Sequence, residues 1–88
     1  MKFINVGFNN MINADRVVAV ITSESAPAKR LIQEAKDSGR AIDCTCGRKT
    51  RCIIVMDSDH VILSAIQNET VSARMNGKDD TGDDGEEQ

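Results

Sequence analysis

Val17-Val18-Ala19-Val20-Ile21-Thr22 runs straight into Ser23-Glu24-Ser25-Ala26-Pro27, and this junction reads as a strand followed by a helix start. The β-branched run has no polar side to present to water, which predicts a central strand covered on both faces. The hydroxyls suit a helix cap, and proline fits a first turn where its missing N–H is not needed. Ala28, Leu31, Ile32 and Ala35 then fall at i, i+3, i+4 and i+7, the apolar face of a helix. Lys29, Gln33, Lys36 and Arg40 take the polar side, Gly39 is a left-handed stop, and Lys36 complements the helix dipole.

On the N-terminal side, Phe3 to Phe8 suits a short strand with both phenylalanines in the core, followed by turn chemistry at Asn9-Asn10 and a second apolar piece at Met11-Ile12. Asn13-Ala14-Asp15 reads as a tight turn that delivers Arg16 to the start of the β-branched strand. On the C-terminal side, Ala41–Cys46 and Cys52–Met56 look like strands joined by Gly47-Arg48-Lys49-Thr50-Arg51, which predicts a hairpin with a basic tip. Asp57-Ser58-Asp59 is a further turn, His60–Ala65 a further strand, and a short helix from about Gln67 to Arg74 or Met75 follows, with Asn68 as its cap. The fold class expected is a small α+β domain over residues 1–75, with a mostly antiparallel sheet, one main helix and a short C-terminal helix. Residues 76–88 contain no apolar side chain and are expected to form a disordered acidic tail.

Charge divides the chain in the same place. Of 14 acidic residues, six lie in the last ten positions, so residues 1–78 carry 8 acids against 11 bases. An acidic whole therefore hides a basic body. The 88 residues make one domain at most. No apolar run approaches the ~18 to 20 residues of a membrane span, and no secretion signal opens the chain, so a cytoplasmic protein without a membrane partner is expected. Cys44, Cys46 and Cys52 are an odd number in a short stretch, which fits no disulfide framework and predicts reduced thiols. A core this small favours association with further copies of the chain.

Arg16, Arg48, Lys49 and Arg51 are the candidate binding residues. Arginine presents a planar fork of donors matched to phosphate oxygens, and the loop that holds the last three contains no acid to neutralise them. A charged turn is also what a solvated hairpin tip looks like. Without Trp or Tyr the chain lacks the stacking platforms of single-strand readers, so duplex DNA held by its backbone is the better match. The rival reading is a metal- or redox-responsive module: Cys44 and Cys46 would share a strand face, Cys52 would lie across the hairpin, and His60 would complete a zinc site. The spacing lacks a paired Cys-x-x-Cys knuckle, and cysteines also serve as small buried hydrophobes. His60 has no nucleophile and base beside it in the sequence, and no glycine-rich phosphate loop is present, so no enzyme, cofactor or small-molecule substrate is expected.

Ile4-Asn5-Val6-Gly7-Phe8, Asn13-Ala14-Asp15-Arg16, Ser23-Glu24-Ser25-Ala26-Pro27-Ala28-Lys29-Arg30, Gly47-Arg48-Lys49-Thr50-Arg51 and Met56-Asp57-Ser58-Asp59-His60-Val61-Ile62-Leu63-Ser64-Ala65 agree in order and spacing with one known group. Over about residues 2 to 75 the chain closely resembles the RemA-like family of extracellular matrix regulatory proteins. The resemblance implies a DNA-binding transcriptional regulator of biofilm-matrix genes, cytoplasmic and nucleoid-associated. It also implies a LytTR-like fold assembled into a homo-oligomeric ring, a heptamer or octamer. It assigns DNA contact to the positions of Arg16, Arg48 and Lys49; the family has arginine where this chain has Lys49, and has other residues at the three cysteines. Arg51 joins the set on charge alone. The acidic tail lies outside the shared motifs and would compete with DNA for the basic residues. Deleting residues 76–88 is expected to tighten binding to duplex DNA at low salt, where like-charge repulsion is least screened; unchanged affinity in a titration rejects that competition.

Overall fold

The computed structural model describes residues 2–77. Its elements, in chain order, are β1 (Phe3–Asn5), β2 (Met11–Asn13), a 3-10 turn (Ala14–Arg16), β3 (Val17–Thr22), α1 (Ala26–Asp37), β4 (Ala41–Asp43), β5 (Cys52–Met56), β6 (Val61–Ser64) and α2 (Asn68–Met75). β1 and β2 form a two-stranded antiparallel ribbon, and the other four strands form a sheet in the order β3-β5-β6-β4.

Period-two alternation along the two central strands decides the layering. Ile53 pairs with Leu63 and Ile54 with Ile62 across the antiparallel β5–β6 ladder. Ile53, Val61 and Leu63 face α1 and meet Ala28 and Ala35, with Leu31 and Ile32 closing the side of that cluster. Cys52, Ile54 and Ile62 point the other way, into a second cluster with Ile4 and Ile12 of the ribbon, Val71 of α2, and Val6 and Ile66 from the segments beside them. The sheet is therefore sandwiched, with α1 on one face and the β1–β2 ribbon plus α2 on the other. Each fully buried isoleucine contributes roughly 1.5–3 kcal/mol.

α1 forms where the sequence predicts it. Ser25 is its cap, the hydroxyl accepting from the Ala28 N–H at 3.2 Å, and Gly39 takes the left-handed conformation at φ +76° that stops the helix. α2 begins one residue earlier than a helix capped by Asn68 would: Asn68 is its first helical residue, and Gln67 precedes it without a side-chain cap.

Three further expectations need correction. β3 is an edge strand, not a central one, with Val18 65 % exposed at an irregularity in the ladder between Val17 and Ala19; a β-branched run specifies a strand but not its place in the order. β4 and β5 are not a hairpin. β6 lies between them, parallel to β4 and antiparallel to β5, so the connecting segment crosses the end of β6. β5, needing cover on both faces and pairing on both sides, takes β3 and β6; β4, only three residues long with an exposed Asp43, suits an edge. The first strand stops at Asn5, and Gly7, Phe8 and Asn9 follow with positive φ, so Phe8 lies in a turn and Phe3 is exposed; neither is in the core. Of the expected tail, residues 76–88, Asn76 and Gly77 close α2 through backbone bonds to Ser72, Ala73 and Arg74, and residues 78–88 lie outside the described residues.

A buried hydroxyl joins the layers. Ser64, fully buried, donates to the Val6 carbonyl at 2.8 Å and accepts from the Ile66 N–H at 3.1 Å. Ser64→Ala leaves two buried backbone groups without those partners and is expected to cost about 1–3 kcal/mol in denaturant unfolding. The thiols offer an independent check of the layering. Cys44 and Cys52 are buried whereas Cys46 is exposed; burial pushes the Cys44 thiol up and the Cys52 thiol up to about 12. A thiol reagent at neutral pH is expected to modify Cys46 quickly and the other two only on unfolding, because the thiolate is the reacting form.

Candidate nucleic-acid interface

The loop carrying Arg48, Lys49 and Arg51 is fixed at both ends. The Asp43 carboxylate accepts from the Thr45 N–H at 2.9 Å and from its hydroxyl at 2.6 Å, which ends β4; these bonds hold the Asp43 carboxyl below the usual carboxylate range. Cys46 and Gly47 follow with φ of +53° and +81°, and the Arg48 N–H returns to the Thr45 carbonyl at 2.9 Å. At the other end the Arg51 N–H donates to the Ser64 carbonyl at 2.8 Å, while Ser23 holds the Thr50 and Arg51 carbonyls through its hydroxyl and N–H. The loop backbone is thus stapled to β6 and to the β3–α1 junction.

Its side chains differ in freedom. The Arg48 guanidinium carbon lies 5.6 Å from the centroid of the Phe8 ring, a cation–π contact of about 0.5–1 kcal/mol at an exposed site. Lys49 and Arg51 are exposed, and among the described residues their side chains make no hydrogen bond or ion pair. Three cations therefore stand together on a held backbone with no acid of the described residues paired to them.

Arg16 stands elsewhere. The Asn13 side chain accepts from the Asp15 N–H at 3.0 Å and opens the 3-10 turn that ends at Arg16. The Arg16 Nε–H points between the two carboxylate oxygens of Asp57, at 3.0 and 3.3 Å. The β3–β5 ladder pairs Val17 with Met56 at this end and Thr22 with Cys52 at the other. Six residue steps of strand, from Asp57 beside Arg16 to Arg51, put Arg16 ~20 Å from the near end of the loop. The four expected residues thus form two cationic groups at opposite ends of β3, not one cluster.

The metal reading loses its geometry. Cys44 and Cys52 are in the core, Cys46 faces out, and His60 lies in the β5–β6 turn at the far end of β5 from Cys52, its Nδ1 2.7 Å from the Ser58 hydroxyl. Among the described residues no group of three or more His, Cys, Asp or Glu is placed to hold a metal ion. No helix among them is long and apolar enough to cross a membrane.

Two residues at the site escape a reading of the sequence. The apolar pattern around Phe8 predicts a core position, although Gly7 and Asn9-Asn10 beside it are turn formers that argue for exposure. Asp57 reads as an ordinary turn residue, and only the β3–β5 register reveals that it faces Arg16.

Comparison with known proteins gives the chain a family. Residues 3–75 match the family described as RemA-like, extracellular matrix regulatory protein A-like. A protein of Geobacillus kaustophilus named "Putative regulatory protein" is 53 % identical over 97 % of this chain and 98 % of its own length. Relatives of the same name from Carboxydothermus hydrogenoformans and Clostridium beijerinckii are 57 % and 59 % identical, covering 90 % and 91 % of this chain and 91 % and 89 % of their own. By the span of the family match and by full-length relatives more than half identical, the chain belongs to the RemA-like family.

Proposed function

We propose that this protein is a DNA-binding transcriptional regulator of the extracellular matrix type, acting on duplex DNA as a LytTR-like, ring-shaped homo-oligomer in the cytoplasm. The observation that carries the reading is the stapled loop Gly47–Arg51, whose Lys49 and Arg51 side chains have no neutralising partner among the described residues, in a chain of the RemA-like family. The regulatory names of its relatives support a non-enzymatic role.

Arg16, Arg48, Lys49 and Arg51 would contact phosphates. The ~20 Å between the two cationic groups suits phosphates on either side of a groove, since the major groove is about 12 Å wide and the long side chains at both ends add their own reach. Lys49 offers a point charge where a forked arginine would make two parallel bonds. Phosphate contacts of a single copy give only weak binding, ~10⁻⁴ to 10⁻⁶ M at physiological salt, so repetition of the loop matters.

The sheet supports repetition. β3 and β4 are its two outer strands, and each carries an exposed large apolar side chain, Val18 at 65 % and Ile42 at 44 %. Opposite edges of unlike shape favour a head-to-tail contact, which closes into a ring when the rotation allows. Sequence preference would then arise in part from bending of the DNA and from the spacing of contacted sites.

Anisotropy titrations of a duplex over a range of salt test the reading. Arg16→Ala and Arg48→Ala are each expected to flatten the slope of log affinity against log salt by about 0.9 for every phosphate that the variant no longer neutralises. Equal slopes in wild type and both variants reject phosphate binding by these residues, and a monomeric mass at working concentration rejects the ring.

A further inference from the structure

Removing an acid from a DNA-binding surface ordinarily strengthens binding. Asp57 is placed to do the opposite. Its backbone N–H donates to the Arg16 carbonyl at 2.9 Å, while its carboxylate receives the Arg16 Nε–H at 3.0 and 3.3 Å. The two residues are therefore locked at two points, one in the backbone and one between side chains, at the end of the β3–β5 ladder. The carboxylate takes its position from the sheet and not from a free loop.

Arginine has five N–H donors, one on Nε and four on the terminal pair. Asp57 occupies the first alone; among the described residues the terminal nitrogens of Arg16 make no hydrogen bond. Both side chains are about half exposed, at 59 % and 47 %, so the pair contributes little to folding but stands where a ligand can reach it. A guanidinium held by its Nε edge presents its terminal fork outward in one orientation. An unheld arginine would have to give up several rotors on binding, and pre-ordering removes part of that cost.

We propose that Asp57 is a positioning residue for Arg16, fixing the guanidinium by its Nε so that the terminal fork meets a phosphate of duplex DNA. This rests on the DNA-binding function proposed above and adds a residue of negative charge to its machinery. Asp57 repels phosphate through space and serves binding through geometry, and the two effects have opposite signs.

The opposition makes the test sharp. Asp57→Ala removes the acceptor of the Arg16 Nε–H together with one negative charge, whereas an asparagine there would still accept through its amide oxygen. Binding of the full chain to a mixed-sequence duplex is measured across salt for wild type, Asp57→Ala, Arg16→Ala and the double variant, with thermal melting as the control for folding. Positioning is expected to make Asp57→Ala bind about tenfold more weakly or worse, the scale of a missing hydrogen bond to a charged group. In the Arg16→Ala background the same substitution is expected to leave affinity unchanged or slightly tighter, since only the repulsion remains to be removed. Binding by Asp57→Ala as tight as or tighter than wild type overturns the proposal, and so does an equal weakening in both backgrounds. Should Arg16→Ala bind as wild type while Arg48→Ala fails, Arg16 and its partner drop out and DNA binding stands. Wild-type protein indifferent to duplex DNA in dilute salt overturns both readings.

Discussion

Two short strands buried on both faces constrain everything else in this molecule. β5 and β6 supply Ile53, Ile54, Val61, Ile62 and Leu63, all almost fully buried, and alternation sends neighbours to opposite sides. No single helix can cover both sides at once. The chain therefore lays α1 on one face and assembles the β1–β2 ribbon and α2 on the other. A two-stranded ribbon is marginal alone; here Ile4 and Ile12 are held against Ile54 and Ile62 within one cluster.

That arrangement also sets where charge stands. Because β6 occupies the place beside β5, β4 is displaced to the outside and the link from Asp43 to Cys52 must cross the end of β6. A crossing segment cannot be a tight two-residue turn, and its length accommodates the three cations of the loop. The carbonyl of Ser64 and the backbone and hydroxyl of Ser23 hold its far end. Meanwhile the start of β3 carries Arg16 to the opposite end of the same ladder. The distance between the cationic groups is the length of a strand, fixed by hydrogen bonds on one side and packing on the other.

Much of this is legible from residues alone where the signals are local. The helix with its Ser25 cap, Pro27 in the first turn and Gly39 stop is a local pattern, and it forms as the pattern dictates. Basic residues in the loop are likewise visible. Strand order is not, since pairing is a matter between distant residues: two apolar runs separated by Gly47–Arg51 look like a hairpin whether or not a third strand intervenes. The run at Val17–Ile21 looks central because burial on two faces and β-branching leave the same trace, yet its outer edge has no strand beside it among the described residues. Asp43 is the available clue that its strand lies at a margin. The pairing of Arg16 with Asp57 spans 41 positions and follows only from the register.

The two ends of the described chain meet. The Lys2 ammonium donates to the carbonyl of Met75 at 2.9 Å and the Arg74 guanidinium to that of Asn5 at 2.8 Å, so the first ribbon rests on the last helix. A nascent chain would thus make the ribbon long before the surface that shelters it, and Ile4, Val6 and Ile12 would wait uncovered until the segment around Val71 had been made. Contacts of such long sequence separation slow folding and prolong exposure of apolar groups. The price of joining these two segments is a domain that can complete itself only once α2 has been made, with the β1–β2 ribbon as the part left uncovered longest in the interval.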